Sequence, residues 1–421
     1  MSFDRFIFQS FLQGGFECST HKRRSGERLD LVKSTGHDRF AAKDYKLLRE
    51  FGIATVRESA RWHLIESSPG DFDFSSLGTI LDAAASTGTQ VILDLLHFGW
   101  PDHVDPLADS FAELFGRFTK TTAAYLKSRP DLCRFIAPVN EISFLSWAGG
   151  EAASINPYRE DCADQLKRNL VRAAVVASEI LLNELPGVRL ISPEPVIHIV
   201  ENPKIPGSAQ DAENYRRSQF QAWDMISGRL EPELGGRPEY LDIVGINFYD
   251  RNEWVHHGGR LLRDDPRYRP FHQIVQEAWM RYGRPMFVSE TGTEDGWRAE
   301  WFNYICDEVA TAIKLGIPIG GICLYPILNH PGWEDDRHCQ NGLFDHPNSL
   351  GDRNVHWPLA YAVRAQQRKL VESNSAQYES YKYRRDMSFS SPVEFRFPTA
   401  SAPNEPVCSN EQSAFLRGTG Y

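Results

Sequence analysis

The sequence predicts an α/β protein built as one closed (β/α)8 TIM barrel, with long loops after the strands and a polar C-terminal tail. Three observations point there. Short apolar runs alternate with amphipathic stretches along most of the chain, the pattern of a parallel sheet with crossover helices. Runs such as Gln90–His97 are apolar almost throughout, as expected of strands covered on both faces. The alternation also reaches eight strands and eight helices, which fits a barrel. A doubly wound sheet is the competing arrangement. It is weakened because no GxGxxG or GxxxxGK[ST] loop follows the first strand.

Taken in order, Phe11–Cys18 is the first strand, and its pair Gly14-Gly15 marks a bend or a close backbone approach. A polar, basic loop over 19–35 follows. A helix over about Asp38–Phe51 places Phe40, Tyr45 and Leu48 on one face, with Gly52 closing it. Ala54–Ser59 is the second strand and Phe74–Thr87 the next helix, stopped by Gly88. Gln90–His97 is the third strand, and a helix over about Ser110–Ser128 ends at Pro130. Arg134–Asn140 is the fourth strand; a loop over 148–160 leads to a helix over about Cys162–Leu185. Val188–Ser192 is the fifth strand, continuing irregularly to His198, with a helix near Ala212–Gly228 after it. Leu241–Tyr249 is the sixth strand, followed by a helix over about Phe271–Tyr282. Arg284–Glu290 is the seventh, followed by a helix over about Ala299–Leu315. Gly320–Pro326 is the eighth; a long loop then reaches the last helix, about Trp357–Leu370. The domain is thus 1–370. The tail, 371–421, rich in Ser, Pro, Asn and Arg, reads as a wrapping or partly disordered appendage.

Composition narrows the function. Of 421 residues, 41% are hydrophobic and 24% charged, which is ordinary for a large globular core. The formal net charge of -10 argues against nucleic acid, whose phosphates require basic patches. No run approaches the ~18 apolar residues of a membrane span. Seven scattered cysteines, with no CxxC pair, read as free thiols in a reducing compartment. The expectation is a cytoplasmic protein without a membrane partner. His103, His198, His330 and His338 match no HExxH or CxxC spacing, so no metal or other cofactor is expected.

In a parallel barrel the active site lies at the C-terminal ends of the strands. The polar residues there are Arg57, His97, Asn140, Glu141, Asn247, Tyr249, Glu290 and Tyr325. Glu141 and Glu290 end apolar runs on the fourth and seventh strands, across the barrel from each other. An acid there is costly without a use. Two facing carboxyls, one charged and one protonated, are what cleavage of a glycosidic bond requires. Arg57 and the Tyr249 hydroxyl would keep Glu290 ionised, whereas burial and the field of Glu290 would raise the pKa of Glu141. Asn140 would reach the sugar 2-hydroxyl. The plainer alternatives are an ion-paired Arg57, a hydrogen-bonded His97 and a packed Tyr249.

The same residues resemble a known family. Arg57-Glu-Ser59-Ala-Arg-Trp62, His97-Phe-Gly-Trp-Pro101, Asn140-Glu141, Gly245-Ile-Asn247-Phe-Tyr249, Ser289-Glu290-Thr-Gly292 and Tyr325-Pro-Ile-Leu-Asn-His-Pro-Gly-Trp333 are similar, in order, to motifs of the retaining glycoside hydrolases of clan A, and within them family 1, the β-glucosidase family. The resemblance spans about residues 11–370. It implies a retaining β-glycosidase acting on a β-linked oligosaccharide or glycoside, with Glu290 as nucleophile, Glu141 as acid/base, and Arg57, His97, Asn140, Asn247, Tyr249, Tyr325 and Trp333 in support. Departures fall in the acid/base motif and at the far end of the sugar pocket. Ile142 stands where Pro is usual, Tyr325 replaces a Trp platform, and Gly332 replaces a hydroxyl-binding Glu, with Glu334 or Asp335 nearby. A hydroxyl-binding Gln near the first strand has Glu17, His21 or Lys22 in its neighbourhood. The resemblance therefore carries the catalytic pair and not the identity of the sugar. Three competing functions stand beside it: a catalytically silent carbohydrate-binding barrel, a transglycosidase of the same fold, and a metal-dependent barrel hydrolase.

Overall fold

A computed structural model describes residues 7–129 and 132–369. The expected tail, 371–421, and the helix-ending Pro130 lie outside the described residues. Eight parallel strands close into a barrel: β1 (Leu12–Gly15), β2 (Thr55–Ser59), β3 (Gln90–Leu96), β4 (Phe135–Val139), β5 (Arg189–Pro195), β6 (Ile243–Asn247), β7 (Met286–Thr291) and β8 (Ile319–Leu324). Each pairs with its sequence neighbours. The ring closes where β1 takes β2 on one side, Gly14 opposite Val56, and β8 on the other, Gln13 opposite Cys323.

The connections are α1 (His37–Glu50), α2 (Ser75–Thr87), α3 (Phe111–Leu126), α4 (Ile142–Gly150), α5 (Ala163–Glu184), α6 (Ser208–Ser218), α7 (Gln221–Ile226), α8 (Phe271–Tyr282) and α9 (Arg298–Lys314); residues 357–369 form α10. Three features depart from expectation. The stretch after Glu141 is helical as far as Gly150. The helix near 212–228 is broken into α6 and α7, because the Gln219 side chain at the break accepts the Ile197 N–H at 2.9 Å. The loop after β8 folds into two small hairpins, His330–Pro331 with His338–Cys339 and Phe344–Pro347 with Arg353–Val355, too polar to announce themselves as strands. None of the helices among the described residues is long and apolar enough to cross a membrane.

The barrel interior is filled from the bottom. Phe8 enters below β1 and packs its ring against Phe135 (centroids 4.6 Å apart) and Phe287 (4.8 Å), within a layer completed by Ile92, Ala137, Ile191 and Ile243. Removing a buried phenyl ring of this kind costs about 3–5 kcal/mol. The other core lies between strands and helices, where Val56, Leu93, Ile136, Leu190 and Val244 meet the apolar faces of the helical ring. Above the Phe8 layer the side chains turn polar, and the site begins there.

The Gly14-Gly15 pair makes the close approach its sequence suggested. A Cβ on Gly15 would lie 2.1 Å from a ring atom of Tyr325, so glycine lets that tyrosine lie flat across β1.

A second polar group is buried outside the barrel, between β2 and α1. His37 contacts Asp44 through Nδ1 (2.7 Å) and Glu58 through Nε2 (2.9 Å); Tyr45 donates to Glu58 (2.6 Å), and Arg353 pairs with Asp44. Burial alone would lower the His37 pKa, but Glu58 and Asp44 outweigh it and raise it from 6.5 to about 9. A raised folded pKa means the stabilisation is full below the unfolded pKa of 6.5 and is lost as pH rises through 9. At about 1.4 kcal/mol per unit this amounts to roughly 3 kcal/mol. We therefore expect thermal stability to fall between pH 6.5 and 9.5 in the native protein, and His37→Leu to lie well below it at pH 6 with the gap narrowing toward pH 9.5. Melting curves that stay parallel across that range would show that His37 is not the linked group.

Candidate active site

Every sequence-predicted site residue except Trp333 comes together at the C-terminal mouth of the barrel in one hydrogen-bonded group. Arg57, in the middle of β2 and 1% exposed, is its centre. Nε and Nη2 hold both oxygens of Asp94 on β3 (3.0 and 2.7 Å), Nη2 also donates to Asn140 Oδ1 (2.6 Å), and Nη1 donates to Glu290 Oε1 (2.6 Å). Burial alone would lower the Arg57 pKa; Asp94 and Glu290 more than reverse this, and the guanidinium stays charged. Tyr249 donates its hydroxyl to the other Glu290 oxygen at 2.8 Å.

His97 is part of the same group. Its Nδ1 lies 2.8 Å from Asp94, and its Nε2 lies 3.2 Å from the Tyr325 hydroxyl and 3.4 Å from Asn140 Nδ2. The Tyr325 hydroxyl accepts the Cys18 N–H at 3.3 Å. Tyr325 is 2% exposed and lies over Arg57, its ring centre 5.7 Å from the guanidinium carbon. It is thus part of the floor that fixes Arg57 and His97.

Glu141 stands opposite, with a different shell. Asn247 donates from Nδ2 to Glu141 Oε1 at 2.8 Å, and its Oδ1 accepts from the Ser289 hydroxyl at 2.5 Å. Among the described residues, no guanidinium is hydrogen-bonded to Glu141. Burial raises its pKa well above the usual range, Glu290 and then Glu194 add to this, and the Asn247 amide and the Arg57 charge oppose it. Burial also raises Glu290, but there Arg57, His97 and Tyr249 all pull down. A proton shared between the two carboxyls therefore resides on Glu141.

Local backbone geometry serves this arrangement. Arg61, Phe98 and Glu141 follow strand ends and have φ of +48°, +59° and +47°. Such conformations cost non-glycine residues about 1–3 kcal/mol each and persist where the surroundings impose them. At Glu141 the imposing contact is its N–H donating to the Pro193 carbonyl of β5 (3.0 Å), after which α4 starts at once.

Trp333 belongs to a second group on the rim. It packs by its edges against His21 (5.3 Å), Phe98 (5.7 Å) and Phe144 (6.3 Å), and Phe98 in turn meets His97 (4.9 Å). The three neighbours of β1 that the sequence left open separate clearly. Glu17 accepts from the Ser19 backbone and hydroxyl (3.0 and 2.5 Å), and Lys22 pairs with Asp102 (2.9 Å). His21 is fully buried, with neither ring nitrogen hydrogen-bonded. Its Nε2 faces Glu334 at 3.8 Å, and Tyr158 donates to that carboxylate at 2.6 Å. Asp335 instead turns back to its own loop, accepting the Arg337 N–H at 3.1 Å.

Sequence reasoning missed Asp94 and Glu194. Asp94 carried a visible signal, a single acid inside an apolar run. Glu194 did not, because the flanking Pro193 and Pro195 hide the strand pattern. The described residues hold no cluster of three or more His, Cys, Asp or Glu placed to bind a metal.

Comparison with known proteins agrees with this architecture. A family model described as Beta-galactosidase, of glycoside hydrolase family 42, matches residues 33–96, from α1 to β3. No curated protein matches the sequence. Among solved structures, the β-glucosidase from Thermotoga maritima in complex with glucoimidazole superposes with a TM-score of 0.72 at 14% identity, covering 88% of this chain and all of that one. A family 1 β-glucosidase from the same organism gives 0.70 at 14%, covering 89% and 99%, and its castanospermine complex 0.70 at 14%, covering 88% and 99%. At this identity the likeness is one of fold, and the chain shares the (β/α)8 barrel fold of these β-glucosidases.

Proposed function

We propose that the protein is a retaining β-glycosidase, with Glu290 as nucleophile and Glu141 as acid and then base. The observation that carries this reading is the pairing of two buried carboxyls in opposite shells at one barrel mouth. Glu290 receives a guanidinium and a phenol; Glu141 receives a single amide. The fold, shared with glycoside hydrolases, supports it.

The shells suit the two steps. Glu290, held by Arg57 and Tyr249, attacks the anomeric carbon while Glu141 gives its proton to the departing oxygen. Once the glycosyl ester forms, Glu290 no longer carries charge. The field that raised the Glu141 pKa then drops, and the same carboxylate takes a proton from the incoming water. Asn140, fixed by Arg57, keeps an amide N–H for the 2-hydroxyl. At the far end of the sugar, His21, Glu334 and Trp333 supply polar atoms and an aromatic face that would meet the remote hydroxyls. Because that end differs from the family pattern, we propose a β-linked sugar without assigning it to glucose.

The test is intact-protein mass spectrometry after incubation with a panel of 2-deoxy-2-fluoro glycosides, whose fluorine slows hydrolysis of the covalent intermediate. The expected result is one adduct, on the peptide containing Glu290, and the sugar that reacts identifies the pocket. An adduct on any other residue would overturn the assignment. Failure of every sugar to react, in a protein that still binds the same sugars, would favour the silent carbohydrate-binding barrel.

A further inference from the structure

Glu194 is a further buried acid beside the site, and the two-carboxyl mechanism does not use it. It sits at the end of β5 but faces away from the site. Ile191 belongs to the interior layer of the barrel, and strand alternation turns Pro193 the same way and Glu194 outward, into the layer of helices. There its Oε2 accepts the N–H of Ser143 at 3.0 Å. Ser143 is the second residue of α4, so this N–H has no partner within the helix, and the helix start favours an anion. The two residues after Glu141 are thus pinned from β5, just as Glu141 itself is pinned through the Pro193 carbonyl.

We propose that Glu194 is a positioning residue for Glu141: a carboxylate behind the site that fixes the start of α4, holds the proton donor in its left-handed conformation, and repels negative charge from it. The inference rests on the reading of Glu141 as proton donor. The charged groups around the pair come from every neighbouring element. Glu141 is faced by Glu290 of β7 and Arg57 of β2 as well as by Glu194. Glu194 is faced by Lys167 of α5, whose Nζ donates to Gln221 (2.7 Å) and which lies in the field of Asp164, Glu151 and Glu231. Burial lifts the Glu194 pKa to about 7, against the Ser143 contacts and Lys167 that favour the anion. Its charge is therefore partly present at neutral pH and complete above it.

Glu194→Gln separates anchoring from charge, because the amide oxygen still accepts from Ser143 while the negative charge is gone. The experiment follows the Glu141 carboxyl directly by 13C NMR titration, assigned with Glu141→Gln, together with the pH profile of kcat/KM on an aryl glycoside. The expected result is a Glu141 midpoint lower by about half a pH unit or more, with the alkaline limb of the profile moving down equally. Lys167→Met should act in the same direction, because Glu194 then takes up its proton more readily. In the double variant the second change should add nothing. A midpoint unchanged in both single variants overturns the proposal, whether or not the protein cleaves sugars. A lowered midpoint in a protein that cleaves none overturns the glycosidase reading and leaves the electrostatic link standing.

Discussion

Glu290→Gln should abolish turnover on every substrate the native protein cleaves, by on the order of 10⁴-fold or more, as expected when a covalent nucleophile is removed. The amide is close in size to the carboxyl, its oxygen still accepts from Arg57, and its NH2 can donate to the Tyr249 hydroxyl, so the fold should be retained. Arg57 keeps both oxygens of Asp94, so the exchange does not leave a buried cation alone. The same change takes away the strongest charge facing Glu141. The Glu141 pKa should therefore fall in the variant, as it does transiently in the proposed glycosyl-enzyme. Steady-state rates across a panel of glycosides, with circular dichroism to confirm the fold, decide the matter. Residual rates within tenfold of native would remove Glu290 from the reaction.

Glu141→Ala should have an effect almost as large, but one that depends on the substrate. General acid catalysis matters in proportion to the basicity of the departing oxygen and contributes about 10²–10⁴-fold. Glycosides of sugars and alkyl alcohols should therefore slow by roughly 10³-fold in formation of the intermediate, and aryl glycosides with acidic phenols by about tenfold at most. The pH profile gives an independent sign. In the native protein activity should be lost as pH rises through the raised Glu141 pKa, because the proposed donor then gives up its proton. In the variant, an aryl substrate should lose that alkaline limb altogether. Equal slowing of both substrate classes would mean that Glu141 holds the structure or the substrate and donates no proton.

Why some of this was legible in sequence and some was not follows from range. The eight strands could be read because each is a short apolar run, and a strand covered on both faces needs little else. Glu141 and Glu290 could be read because each interrupts such a run at its end. The polar contacts that set their chemistry link residues far apart in the chain. Arg57 meets Glu290 across 233 positions, and Tyr325 meets His97 across 228. No local pattern records such a meeting, so Asp94 passed for part of a strand although it anchors both Arg57 and His97. His21 was one of three candidates at β1 until folding showed which was buried with its ring nitrogens not hydrogen-bonded. The helical stretch after Glu141 was obscured for a different reason: nine residues with two glycines at the end carry little helical signal, and the Glu194 contact holds the first turn.

The Phe8 layer has a consequence for how the protein is made. Phe8 leaves the ribosome before any strand of the barrel, yet its packing partner Phe287 lies on β7, and β1 finds its second neighbour only in β8. At about 5–20 residues per second, Phe8 and β1 wait on the order of tens of seconds for surfaces that do not yet exist. During that time the inner faces of β1 to β6 have no lid beneath them. A nascent chain halted after β6 should therefore stay open to protease within β3 and β4, and one extended past β8 should become resistant in a single step. Gradual protection as each strand emerged would show instead that the barrel is assembled piece by piece.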